Sequence, residues 1–413
     1  MKKYDIAIIG AGPAGILAAI MAVEAGANIA LFDKNDQIGR KILATGNGRC
    51  NLTNKDVDSR NFHGANAKFI QRILDQFTNI ETMQFFESLG LLLKEEDRGR
   101  IFPRSNQAKS VVEVLGNKLD ELNADIFTNK LVKRISKDES DFLIEFESGE
   151  TFRTRKLILS TGGKAAFQFG SSGDGLFWSK LFGHNIVPIK AALVPVETIE
   201  IWPSEVQGLK LEVKVSIKQA GNIIATRSGD LLFTHFGVSG PAVMGLARDI
   251  AYSLEKGDVN IEIDIFPEID SSVLDKKIAE TIARNGQKSV KNSLIGFAPL
   301  NLLPILLGIA NVDGERKAAE ISKADRISIV KAFKSLDLRV KSVRPLKEAQ
   351  VSAGGIDVRE IDENTLESKL VPGLFFAGEI IDVDGDSGGF NLQWAWSSGF
   401  VAGKSAAKML KNM

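Results

Sequence analysis

The chain has 413 residues, 44% of them hydrophobic, and carries 52 basic against 52 acidic side chains. That length exceeds one ordinary domain, and the balanced charge argues against a nucleic-acid or membrane partner, short of a local basic patch. A single cysteine, Cys50, excludes an internal disulfide, a dithiol redox pair and a thiolate metal cluster, and His63, His184 and His235 lack metal-ligand spacing, so no metal and a cytoplasmic location are expected.

The chain opens on an apolar run with Ile6, Ile8 and Ile9, followed by Gly10-Ala11-Gly12-Pro13-Ala14-Gly15. This predicts a buried strand, a tight turn and a helix. Gly10 permits the turn, Gly12 lets a pyrophosphate approach the backbone, and Gly15 lets the helix pack on the strand. Ala14, Ala18, Ala19, Ala22 and Ala25 give that helix a small contact face, and Gly26 ends it. Its N-terminus, with free N–H groups and the positive end of the helix dipole, suits phosphate. Asp33 closes the second strand, where an acid accepts from ribose hydroxyls, with Lys34 beside it. Together these predict a dinucleotide site that includes Gly10, Gly12, Pro13, Ala14, Gly15, Asp33 and Lys34. Lys2 and Lys3 before an apolar run imitate a secretory signal, but cleavage near Ala27 would destroy this unit.

The loop from Gly39 to Asn54 compresses three glycines and three cations just after the second strand. Arg40 and Lys41 are placed to balance phosphate charge. Thr45, Gly46, Asn47, Gly48, Arg49, Cys50 and Asn51 are placed along the reactive ring of the cofactor. Arg49 beside Cys50 raises the alternative of an activated thiol, against a small residue packed in the loop. Helices are predicted near Ala67–Phe77, Thr82–Leu89 and Lys109–Leu122. Strands follow at Asp125–Thr128, Val132–Ser136, Phe142–Phe146 and Leu157–Ser160. Val132 joins the cofactor candidates, as do Thr161 and Gly162 in the turn after the last strand.

From about Ala191 the pattern becomes period-two at Val194–Ile199, Leu211–Lys218, Asn222–Ala225 and Val259–Ile265, which predicts antiparallel strands in a separate domain. His235, in a Gly-rich stretch with Gly237, Gly240 and Pro241, is a weak candidate for a general acid; a structural histidine is the alternative. Helices are expected at Ser272–Asn285 and Asp325–Leu336. Between them, residues 292–312 carry no charge but include Pro299 and Pro304, so broken buried helices are expected in place of a membrane span.

Strand–turn–helix patterning returns at Leu374–Gly378 and runs to the C-terminus. Gly378 and Glu379 end the strand, an acidic Gly-rich turn follows, and a helix begins near Gly389, Phe390, Asn391 and Leu392. In flavoproteins an acid after such a strand end, here Glu379, commonly bonds the ribityl chain, and the helix that follows points its N-terminus at the flavin pyrimidine. The run Asp382, Asp384, Asp386 imitates a calcium loop, but Ser387 and Gln393 stand where that loop needs Gly and Glu. Trp394 and Trp396 face different ways on the helix, and core packing is expected for at least one.

Gly10–Gly15, Gly39–Asn54, Phe233–Pro241 and Gly378–Gly399 together resemble the bacterial flavoprotein family that includes aminoacetone oxidase and the BaiN-type bile-acid reductases. The resemblance implies non-covalent FAD, with NAD(P)H as a possible transient donor, in an α/β protein. The expected fold is a Rossmann-like FAD-binding domain built from both chain ends (1–190 and 345–413). An inserted antiparallel, barrel-like domain spans 191–344, with a small helical subdomain about 270–336. Asn47 stands at the middle glycine of that family's usual Gly-Gly-Gly-Arg-Cys-Asn. The function implied is an FAD-dependent oxidoreductase acting on a small organic molecule, with oxygen or NAD(P)H as redox partner and the oligomeric state open. A flavin-binding regulatory or scaffold protein without turnover is the alternative.

Overall fold

The computed structural model describes residues 3–64 and 66–411. They form two compact units: Met1–Lys190 with Leu346–Met413, and Ala191–Pro345.

The first unit is built on a seven-stranded sheet. Strands Asp125–Phe127, Ile29–Phe32, Lys3–Ile9 and Thr151–Leu159 lie side by side in parallel. Leu374–Phe376 pairs in parallel with Leu157–Leu159, and Phe142–Phe146 pairs antiparallel with Thr151–Thr154. Thr151–Leu159 is longer than its apolar C-terminal half suggests, because its polar first half is held as one arm of the meander. Ile29–Phe32 and Leu374–Phe376 are buried at every position, the signature of parallel strands covered on both faces.

Two helices of this unit pack against each other so closely that backbones touch. In Pro13–Glu24, Pro13 sits where its missing N–H costs nothing. In Phe390–Leu410, a Cβ on Gly399 would lie 2.4 Å from the Ala14 carbonyl oxygen, and one on Gly403 2.2 Å from that of Ala18. Trp394 and Trp396 are both core residues; their indole N–H groups donate to the carbonyls of Gly378 and Leu52.

In the second unit six antiparallel strands close into a barrel, in the order Val196–Thr198, Gly237–Ser239, Asn222–Thr234, Lys210–Gln219, Asn260–Asp264, Leu336–Val343 and back to the first. Val213, Val215, Ile217, Leu231, Phe233, Ile261, Ile263 and Leu338 fill the interior. The Asn222–Ala225 strand in fact runs to Thr234, because every residue from Asn222 to Leu232 except Ile224 pairs with Lys210–Gln219 across the hairpin. The helix Lys323–Lys334 stops short of Leu336, where the chain enters the barrel. Between the paired strands Asn260–Asp264 and Leu336–Val343 the chain makes the helices Ser271–Arg284, Val290–Ser293, Leu303–Ile309 and Lys323–Lys334. Residues 292–312 are thus short helical pieces, and no helix among the described residues is long and apolar enough to cross a membrane.

Candidate functional site

The glycine turn of the first unit is sterically determined. Gly10 has φ +104°, and a Cβ there would lie 2.6 Å from the Ser160 carbonyl oxygen; a Cβ on Gly15 would sit 1.8 Å from the Gly10 carbonyl oxygen. Gly12 is different. It adopts extended φ, and nothing lies within 4 Å of its Cβ position. The open backbone edge therefore lies at Gly12, at the N-terminus of Pro13–Glu24, where no side chain caps the free N–H groups.

Asp33 braces this turn from the second strand. Its Oδ2 accepts from the Ala11 N–H at 2.7 Å, and its Oδ1 from the backbone and side-chain amides of Asn35, both at 2.8 Å. Oδ1 is saturated, while Oδ2 keeps a lone pair for an outside donor such as a ribose hydroxyl. Lys34 bonds Ser172 and, at 2.7 Å, Asp174. Arg40 donates to Asn35 at 3.2 Å.

Within Gly39–Asn51 the structure separates two groups. Lys41 reaches across to Glu379 in an ion pair. Arg49 bonds Glu96, donates twice to Asn106 (2.8 and 3.1 Å) and lies 4.2 Å from the Phe102 ring centroid. It fixes the loop to the hairpin of Leu93–Glu96 and Arg100–Pro103, which sequence patterning did not reveal. Bonds from Lys94 and then Arg49 hold the Glu96 carboxyl down at about 2. Thr45 caps its own turn by donating to the Ile42 carbonyl. Gly46 and Asn47 are left-handed, at φ +57° and +55°, and Asn tolerates that region best among non-glycine residues, so its replacement of a glycine leaves the turn intact. Cys50 is fully buried, which pushes its thiol up to about 12 against a lowering bond with Thr45. A buried protonated thiol is no nucleophile.

The turn after Thr151–Leu159 is bound to the same ion pair. Glu379 Oε1 accepts from both the backbone N–H and the hydroxyl of Ser352, each at 2.9 Å, and Ser352 Oγ accepts from the Lys164 N–H at 3.1 Å. A Cβ on Gly163 would lie 1.9 Å from that hydroxyl. Ser352 was missed from sequence. Its signal is the run Ser352-Ala-Gly354-Gly355, whose glycines take φ +85° and +151° with backbone oxygens within 2.6 Å of their Cβ positions. Gly378, at φ +79°, donates to Ser398 at 2.9 Å. Gly389 begins the long C-terminal helix without a side-chain cap, and Asn391 ties the preceding turn through Gly385 N–H (2.8 Å) and C=O (2.7 Å). Phe390 and Leu392 are buried, and Val132 is buried on the meander strand Val132–Lys137. Asp386 pairs with His63 at 2.8 Å.

These residues fit FAD. Asn51 Oδ1 and Thr161 Oγ1 are buried without a partner, and each such atom is costly unless something outside the chain bonds it. Two uncapped helix N-termini, the open edge at Gly12 and the one at Gly389, add donors for an anionic dinucleotide.

In the second unit, His235 and Phe236 form the two-residue tip between Asn222–Thr234 and Gly237–Ser239. A cavity of about 270 Å³ lies beside it, lined in part by Glu197, Ile201, Ser204, His235 and Phe236.

Comparison with known proteins adds relatives over the whole chain. The family described as HI0933-like protein Rossmann domain matches residues 4–405. A 3-dehydro-bile acid delta(4,6)-reductase of Clostridium scindens is 35% identical over 406 residues, 98% of this chain and 99% of that protein. A ribosomal RNA dihydrouridine synthase of Escherichia coli is 31% identical over 401 residues, 97% of each. Among solved structures, 3-ketosteroid-delta4-(5alpha)-dehydrogenase from Rhodococcus jostii RHA1 aligns at a TM-score of 0.51 and 13% identity over 98% of this chain and 97% of that one, a likeness of fold alone.

Proposed function

The chain belongs to the HI0933-like Rossmann family of FAD-dependent oxidoreductases, and from that premise we propose that it reduces a carbon–carbon double bond conjugated with a carbonyl in a small organic molecule, taking electrons from NAD(P)H. The observation that carries this reading is the pair of full-length relatives. One is named for a bile acid and the other for RNA, yet both names denote saturation of a ring double bond conjugated with a carbonyl. The shared step is more informative than either substrate. Bound FAD supplies the two-electron chemistry, and the protein supplies binding, orientation and electrostatics.

On this reading the N–H groups of Gly12, Ala14 and Gly15 hold the pyrophosphate, and Asp33 braces the turn through the Ala11 N–H while keeping a lone pair for the ribose. The Lys41–Glu379–Ser352 group fixes the loops on either side. The N-terminus of Phe390–Leu410 offers positive potential where negative charge accumulates on reduction. Balanced net charge favours a small neutral substrate, while the Escherichia coli relative brings RNA into the test.

The test is anaerobic incubation of FAD-loaded protein with NADH or NADPH and, separately, 2-cyclohexen-1-one, a 3-oxo-Δ4 steroid, uridine and a ribosomal RNA transcript. Gain of two hydrogens by a small enone is expected. Turnover of RNA alone would overturn the small-molecule assignment. Flavin that reacts only with dioxygen, or with no acceptor, would overturn reductase function itself.

A further inference from the structure

We propose that His184 is a pH-sensitive latch: its neutral imidazole ties together two distant segments of the first unit, and its protonation opens the turn at residues 368–371. The imidazole is the middle of a chain of three side chains. Glu360 Oε2 stands 3.1 Å from its Nδ1, and Ser368 Oγ 2.8 Å from its Nε2. His184 follows the helix Asp174–Leu181, whereas Glu360 and Ser368 lie 176 and 184 positions later, ahead of the strand Leu374–Phe376. Asn185 widens the tie. Its N–H donates to Glu360 Oε2 at 2.9 Å, its side chain donates to Oε1, and its carbonyl accepts from the Asp357 N–H at 3.0 Å.

Serine, histidine and carboxylate in this order is also the layout of a nucleophilic triad. Ser368 is unfit for that role. It is 5% exposed, and its Oγ accepts from the N–H groups of Leu370 (3.1 Å) and Val371 (2.9 Å). Those two bonds use both lone pairs of the hydroxyl, which leaves its proton for His184 Nε2. The Glu360 carboxylate only accepts, so the imidazole proton belongs on Nδ1. All these polar atoms are satisfied in that one protonation state. A second proton turns Nε2 into a donor facing an oxygen with no lone pair to give. Protonation must then break the contact with Ser368 or the two bonds that shape the turn.

The surroundings also disfavour the cation. The His184 side chain is fully buried, with the Phe376 ring edge-on at 5.0 Å. Charged groups on the segments around it are engaged elsewhere: Asp357 holds Arg359, Asp362 accepts from Thr365, Glu367 accepts from the Gly373 N–H, and Lys369 donates to the Arg359 carbonyl. Lys180, on the preceding helix, is exposed. Among the described residues only Glu360 acts on the imidazole charge. Burial outweighs its pull and holds the group below its ordinary value of 6.5. The folded state therefore binds fewer protons than the unfolded chain near that pH. This contribution to stability is complete above about 6.5 and is lost as pH falls from there through the lower folded value. The Ser368 N–H donates to the Leu374 carbonyl at 2.7 Å, so the turn that opens leads directly into the strand before Gly378 and Glu379.

The test is an acid titration of isotopically labelled, FAD-loaded protein followed by NMR. The chain has three histidines, and the imidazole set lost in His184→Gln identifies the latch. At neutral pH His184 should carry its proton on Nδ1. On acidification it should titrate below 6.5, with the backbone amides of Leu370 and Val371 shifting at the same midpoint. Ser368→Ala removes the donor that favours the neutral ring and should raise that midpoint by about half to one pH unit, the worth of one hydrogen bond. His184→Gln, which accepts from Ser368 and donates to Glu360 without titrating, should flatten the acid fall in unfolding free energy. Leu370 and Val371 amides that ignore the His184 titration would overturn the latch. An unchanged midpoint in Ser368→Ala would overturn it too, since burial alone would then set the protonation. Should that variant fail to fold, the wild-type amide titration decides alone.

Discussion

Lys41 and Glu379, 338 positions apart, meet as an ion pair that joins the Gly39–Asn51 loop to the turn after Leu374–Phe376. Glu379 also holds Ser352, and through it the Lys164 backbone, so one carboxylate gathers four separate segments. Both partners are largely shielded, with 21% and 16% of their side chains exposed, which lifts the pair above the small worth of a surface bridge.

Glu379→Ala should therefore destabilise the apoprotein by about 2–3 kcal/mol, since it removes hydrogen bonds to a charged acceptor and leaves Lys41 without its counter-ion. Lys41→Met should cost less, because the Ser352 bonds survive. A double-mutant cycle in urea checks the coupling; simple additivity would show that the two residues act independently.

Asp33→Ala should weaken FAD binding roughly tenfold to a few hundredfold, the worth of one charge-assisted bond at about 1.5–3 kcal/mol. It should also lower apoprotein stability, because the Ala11 N–H and Asn35 lose their acceptor. Flavin fluorescence titration and apoprotein unfolding read the two effects separately. Lower FAD affinity with unchanged apoprotein stability would show that the Ala11 bond contributes nothing without cofactor.

The two chain-end sheet segments were legible because parallel buried strands leave continuous apolar runs, as in Ile29–Phe32, and because Gly10 and Gly15 have steric roles that no other residue fills. The hairpin Leu93–Pro103 was not legible. Its residues Leu93, Lys94, Glu95 and Glu96 include only one apolar side chain, and pairing comes from backbone ladders that leave no mark on hydropathy. The partners of Arg49 were not legible for a related reason. Its neighbours in sequence belong to the cofactor loop, but its guanidinium partners, Glu96 and Asn106, lie about fifty positions later. Ser352 escaped notice because a lone serine before two glycines carries no periodicity.

Cys50 should be silent to thiol reagents at pH 8 in the folded protein, because burial raises its pKa to about 12. The pH dependence has a definite sign. The folded state resists losing the proton, so this contribution to stability is complete below the ordinary thiol pKa near 9 and is lost as pH rises from there through about 12. Cys50→Ser should keep FAD and most turnover while flattening the alkaline fall in unfolding free energy. Rapid labelling of Cys50 in native protein would contradict the buried thiol.

The C-terminal helix offers the sharpest contrast between two glycines. Gly403 is buried against the Ala18 carbonyl, 2.2 Å from where a Cβ would stand, so Gly403→Val must push two backbones apart. Overpacking of this kind costs about 1–3 kcal/mol or more, and here it separates the helix that begins at Gly389 from the one that follows the Gly10–Gly15 turn. FAD affinity should fall along with stability. Gly308 sits in the Leu303–Ile309 helix, exposed and with nothing within 4 Å of its Cβ position. Gly308→Ala should instead stabilise the protein by about 0.5–1 kcal/mol through the helix preference of alanine, with FAD binding untouched. Thermal unfolding of the two variants, with and without added FAD, checks both halves. A Gly403→Val protein that unfolds at the wild-type midpoint would mean that the close helix contact is not what holds the two chain ends together.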